Sequence, residues 1–196
     1  MGQKLLHVFA REITRIRNLD AQAVVIALLN QGSDDFLKWQ SSSTGKYHPP
    51  DEIAEIGMVL HVKRCAALAQ DASRMYELDS IQSDAVLAGC LIHDLWKRGE
   101  NNDAAHTDAR HMIIAYQKVI AMGDTVFISY LADACLFHEG VWTPPEAKAL
   151  GISDPTKVAH ALHFIDMAVS RRMTHTIMQS EWVAKVADLV AKAEQE

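Results

Sequence analysis

Four residues with metal-ligating chemistry stand inside apolar runs of helical spacing. His93 and Asp94 follow Ala85-Val86-Leu87-Ala88-Gly89-Cys90-Leu91-Ile92, so an imidazole and a carboxylate emerge together near the end of a core helix. A carboxylate placed there is costly to bury unless it is paired or bound to a metal. His61 is preceded by Gly57-Met58-Val59-Leu60, and Asp166 stands among Ala161, Leu162, Phe164, Ile165 and Met167. Neutral imidazole nitrogen and carboxylate oxygen suit divalent Mn, Fe, Co, Zn, Ni or Mg, and a site needs several such donors from different helices. Singly, each residue has an ordinary reading as a core or surface side chain. The set His61, His93, Asp94 and Asp166 points to a metal.

Helices must position these residues. Apolar residues recur at three- and four-residue intervals, and alternating Val/Ile/Thr runs bounded by Gly are absent, so the periodicity predicts an all-α chain. Helices are expected over about 3–17, 20–31 (Asp20 as cap), 51–72, 80–96 (Ser80 as cap), 108–122 (Asp108 as cap), 125–138, 155–173 and 179–195. Ser41 to Pro50 reads as a polar loop punctuated by Gly and Pro, and 97–107 and 139–154 as two more.

Composition narrows the function classes. A chain of 196 residues with 49% hydrophobic and 22% charged residues suits one globular domain. Its net charge of −6, with no basic run longer than Arg171-Arg172, disfavours long nucleic acid and favours a small substrate. Cys65, Cys90 and Cys135 lie in apolar helical patterns, as buried thiols of a reducing compartment do, and a cytoplasmic location is expected. No apolar stretch approaches a membrane span and no signal h-region is evident. Met1-Gly2 lacks the Ser or Thr at position 6 that myristoylation favours.

The order His61, His93-Asp94, Asp166 resembles the HD-domain superfamily of metal-dependent phosphohydrolases, whose signature is H…HD…D. Leu91-Ile92-His93-Asp94-Leu95-Trp96-Lys97 is similar to its apolar-HD-apolar-x-Lys segment, with Trp96 where many members have Gly. Lys46-Tyr47-His48-Pro49 resembles a segment that precedes the pocket in one branch. Some branches bind a second metal through two further histidines, and His111 and His138 stand where these are expected, with His106 as the rival of His111. The family's double His is here Phe137-His138.

The resemblance spans about Tyr47 to Arg172. It implies an all-helical bundle of about seven helices, forming a single domain over 1–196. Its core would be about 47–172, with the N-terminal helices at 3–31 and the C-terminal helix at 179–195 packed on it. It further implies one or two divalent ions held by His61, His93, Asp94, His111, His138 and Asp166, with Asp94 bridging. A hydroxide activated by the metal would attack phosphorus in a nucleotide or other small phosphate ester. Asp94 and Lys97 would be catalytic, Lys97 meeting the developing phosphoryl charge, and Lys46, His48 and His106 would contact the substrate.

His163, one turn before Asp166, is expected to orient a ligand, while His7, His160 and His175 read as structural or exposed. Arg171 and Arg172 read as a solvated helix end, with contact to a nucleotide phosphate as the alternative, and Tyr47 and Trp142 either stack on a base or pack at the pocket rim. Di-iron oxygen chemistry on the same ligands, 3′–5′ exonuclease activity and a non-catalytic binding module are the competing readings. A homo-oligomer is compatible with all of them.

Overall fold

The apolar periodicity resolves into helices throughout a computed structural model that describes residues 3–42, 44–150, 154–171 and 180–195. Among these residues there are nine α-helices and no strand: α1 (Gln3–Ile13), α2 (Leu19–Leu29), α3 (Gly57–Met75), α4 (Ser80–Ile92), α5 (His111–Ile120), α6 (Val126–Phe137), α7 (Pro145–Lys148), α8 (Lys157–Val169) and α9 (Ser180–Gln195). Three short 3₁₀ turns, Asp34–Lys38, Pro50–Ile53 and Gly140–Trp142, interrupt the connections.

Helix starts follow capping chemistry, shifted by a residue or two from expectation. Asn18, not Asp20, caps α2 by accepting from Ala21 N at 2.9 Å. Asp79, not Ser80, caps α4 in a reciprocal box with Gln82. Both true caps have the extended backbone that lets a side chain turn back onto the first free N–H groups, whereas their neighbours are already helical. Thr125 and Thr156 cap α6 and α8 in the same way. Asp108 does not open a helix: its carboxylate accepts from Arg110 N, and α5 begins at His111.

The largest departure is at α3, expected from about residue 51 but beginning at Gly57. Pro50–Ile53 forms a 3₁₀ turn, and Ile56 takes a left-handed conformation (φ 62°) that stops it from running on. Gly57 is required here, because a Cβ would lie 2.0 Å from the Glu52 carbonyl oxygen. That close approach presses Glu52 against the first turns of α3. Likewise α4 stops at Ile92, and the chain continues to residue 102 in turns, not in helix.

The core forms where α3, α4, α6 and α8 pack on one another, with α5 against α6. α1 and α2 cover the side of this group near α4, and α9 lies along α1. Trp96, Phe9 and Phe36 are the largest fully buried side chains, each removing on the order of 150–250 Å² from water. Trp96 thereby anchors the turn that carries His93 and Asp94 to the core. No helix among the described residues is long and apolar enough to cross a membrane.

Candidate metal centre

Helix ends converge on Asp94. His93 caps the C-terminus of α4 and Asp94 follows it; His111 opens α5; His138 caps the C-terminus of α6. His61 lies in the second turn of α3, and Asp166 one turn before the end of α8. All six residues are brought together. Donor atoms of His61, His93 and Asp94 lie within 4.8 Å of one another, as do those of Asp94, His111 and His138 and those of His61, Cys65 and Asp166. Asp94 belongs to two of these sets and His61 to two.

The ring orientations are fixed from behind. Nδ1 of His93 donates to the Gly89 carbonyl at 3.0 Å, Nδ1 of His111 to that of Asp108 at 2.8 Å, and Nδ1 of His138 to that of Cys135 at 2.8 Å. A carbonyl only accepts, so each Nδ1 carries the proton, and in the neutral ring Nε2 presents a lone pair. Those lone pairs face one another: Nε2 of His111 and of His138 are 3.2 Å apart, and they lie 3.3 and 3.8 Å from Asp94 Oδ1. With both rings neutral this arrangement is repulsive, and either a proton on one ring or a cation among them relieves it. His93 Nε2 and Asp94 Oδ1 are moreover buried without a hydrogen-bond partner, a rare condition in folded proteins. The residues present fit a divalent cation.

Without metal, protons take its place where the field allows. Burial opposes a charge on His111, yet the adjacent Asp94 carboxylate raises its pKa. Burial together with His93 and His111 lowers that of His138 to about 4. Burial also lowers His93. Asp94 is held well below the usual carboxylate range in spite of burial, by Lys97 and by His93.

His61 is held differently. Its Nε2 lies 3.2 Å from Asp166 Oδ1 and 3.6 Å from Cys65 Sγ, while its Nδ1 lies 3.3 Å from Glu52 Oε2, off the line of a hydrogen bond. Burial would discharge this ring, but Cys65, Asp166 and Glu52 raise its pKa well above the ordinary value. Glu52 is itself fully buried. It accepts from Arg64 Nη1 at 2.7 Å and from His48 Nδ1 at 2.9 Å, and these contacts with His61 bring its pKa down to about 2 against the cost of burial.

A cleft of about 340 Å³ opens over the centre, lined by Tyr47, His48, Lys97, Trp142 and Arg171 around Asp94, His138 and Asp166. Lys97 Nζ donates to Asp94 Oδ2 at 2.6 Å and reaches the cleft wall from there. Two expected substrate contacts are not brought to this cleft. Lys46 is exposed, its ammonium 5.1 Å from the centroid of the Tyr47 ring. His106 is exposed and lines a separate cleft of about 150 Å³ with Trp39, Lys97 and Arg98; His111, not His106, stands beside Asp94. Both residues lie in loops, whose paths no periodicity predicts.

His163 meets one of the six residues that converge on Asp94. Its Nδ1 donates to the His138 carbonyl at 2.7 Å, and its ring packs where Gly140 (φ 60°) has no Cβ. Arg172 and His175 lie outside the described residues. Glu52, Cys65 and Glu139, whose Oε1 is 3.9 Å from His111 Nε2, were not singled out from sequence. For Cys65 a signal existed, since i,i+4 spacing on α3 places it one turn from His61. Glu139 adjoins His138 but carried no distinguishing pattern. No protein-family model, curated protein or solved structure matches the chain.

Proposed function

We propose that this chain is a metal-dependent phosphohydrolase of the HD-domain type, acting on a nucleotide or other small phosphate ester. One observation carries the reading: two overlapping donor sets share a buried Asp94 beneath a cleft, with three Nε2 lone pairs aimed inward by backbone carbonyls. His61, His93, Asp94 and Asp166 would hold one ion, and Asp94, His111 and His138 a second. Bound there, divalent ions lower the pKa of water and polarise a phosphoryl oxygen.

The chain's own residues supply the rest. Lys97, already charged through its bond to Asp94, presents a fixed cation to phosphoryl oxygens that gain charge. Arg171 and His48 stand on the cleft wall as further contacts for an anionic substrate. Tyr47 and Trp142, both more than half exposed at the rim, offer faces for a planar leaving group. The acidic surface of the molecule disfavours long polyanions and accords with a small substrate.

Release of inorganic phosphate from a panel of nucleotides and simple phosphomonoesters, with Mn, Co, Mg, Ni or Zn added, tests the proposal. Turnover that requires metal is expected; a fully metal-loaded protein inert on the whole panel contradicts it. Reconstitution with iron in air, followed by EPR, separates the hydrolase from an oxygen-using enzyme on the same ligands.

A further inference from the structure

A cleft larger than the one over the metal centre lies elsewhere on the molecule. It measures about 470 Å³ and lies between the α1–α2 connection and the α3–α4 turn, walled by Arg15, Arg17, Arg74, Glu77, Leu78 and Leu87. In a chain of net charge −6, three guanidinium groups in one concavity are a local reversal of the overall field.

The three are not equally committed. Arg17 is built into the wall: its Nε lies 3.3 Å from Asp84 Oδ1, and its Nη2 donates to the Ser80 carbonyl at 2.9 Å. Asp84, almost fully buried, also accepts from the backbone amides of Arg17 and Asn18, at 3.2 and 3.1 Å. Its charge is thus spent on organising the wall. Arg74 has a 3.5 Å contact with Asp71, both side chains being largely exposed, and such pairs contribute little. The Arg15 guanidinium has no hydrogen bond or ion pair among the described residues. Glu77, exposed at the turn after α3, is the opposing charge.

We infer that this cleft is a second ligand site, built for a small dianion of the phosphate-monoester class whose organic part rests on Leu78 and Leu87. The arginine fork matches phosphate oxygens in pairs, and Arg15 and Arg74 together balance two negative charges. The site stands apart from the metal centre: Ser73, on its wall, lies three turns along α3 from His61, about 18 Å at 1.5 Å per residue. It holds whether or not the metal centre is a phosphohydrolase.

The test uses the full ¹⁵N-labelled chain, stripped of metal with EDTA, titrated at constant ionic strength with phenyl phosphate, with inorganic phosphate and with acetate. Saturable amide shifts are expected at Arg15 to Asn18 and Ser73 to Ser83, with phenyl phosphate binding tighter than inorganic phosphate and acetate weakest. Arg15→Ala with Arg74→Ala should weaken binding at least about tenfold, as loss of charge-assisted bonds does, while Glu77→Gln tightens it. Both arginines are surface residues, and an unchanged spectrum elsewhere will show the variant folded. Absence of saturation, shifts confined to residues 94–97 and 138–142, or affinity unaffected by the double substitution would each overturn the site.

Discussion

The two ends of the candidate centre hold their histidines by opposite means. Around Asp94, the rings of His93, His111 and His138 are steered by neutral backbone carbonyls. Around Asp166, His61 is flanked by Glu52 on one ring nitrogen and Asp166 on the other. Main-chain steering sets direction and tautomer without adding a charge, so the surroundings decide the proton: burial with His93 and His111 lowers His138 to about 4, while Asp94 raises His111. Flanking carboxylates also set direction, but they attract a proton that a metal must displace. The His61 end is therefore held by flanking charge and the His138 end by main-chain geometry, with His111 beside Asp94 the one ring of that end whose pKa is raised.

Breaking the fixed half should have the largest effect. His138→Ala removes one of the three donors of the second set without touching Glu52 or Asp166, and bound metal should fall from two equivalents to one. Phosphate release should drop by on the order of 10²–10³, comparable to losing one preorganised stabilising contact. Elemental analysis beside the kinetic assay checks both, and unchanged stoichiometry would mean the second donor set is not a metal site.

Glu52→Gln attacks the other half. Supporting residues of this kind are worth roughly 10–100-fold in metal affinity, and the loss should fall on the ion nearest His61, leaving the other equivalent in place. Competition with a chromophoric chelator resolves the two ions; equal weakening of both would erase the contrast drawn here.

The contrast also has a pH signature. The carboxylates beside His61 and His111 raise both rings and favour protons there that metal must displace, so affinity should rise with pH and proton release should be visible by calorimetry in buffers of different ionisation enthalpy. Stability of the metal-free protein moves the other way for His61. Its raised pKa adds stability that is fully present below about 6.5 and lost as pH rises through the folded value. Glu52 is depressed from 4.5 to about 2, so its contribution, roughly 3 kcal/mol, is present above 4.5 and lost as pH falls toward 2. Urea titrations at pH 3 and 5 should differ accordingly, and Glu52→Gln should flatten that difference.

His163→Ala should have the smallest effect. It frees the His138 carbonyl and removes a ring packed against Gly140, loosening one ligand without deleting it. A loss of up to about tenfold in metal affinity at the His138 end is expected, measured by the same competition assay.

How much of this was legible in advance depends on what decides each feature. Helices such as α4 and α6 announce themselves, because apolar periodicity and burial act on the same residues. The clustering of His61, His93, Asp94, His111, His138 and Asp166 was legible for a related reason, since polar residues inside apolar runs stand out. Glu52 was not, because beside Pro50 and Asp51 it reads as an acidic residue in a helix's first turn. Its burial follows from Ile56 and Gly57 folding the chain back and from Arg64 reaching across, which are tertiary facts. The caps of α2 and α4 were misassigned between adjacent residues that can both cap, and only the backbone conformation decides. The positions of Lys46 and His106 outside this cleft were not legible because loop paths have no period to read.

The most direct measurement is the metal content of the purified chain and of Asp94→Asn, the residue shared by both donor sets. Two equivalents of divalent metal are expected in the unmodified protein and fewer than one in the variant, with its helical circular dichroism retained. Full metal content in Asp94→Asn, or a correctly folded unmodified chain that binds no divalent ion, would contradict this expectation.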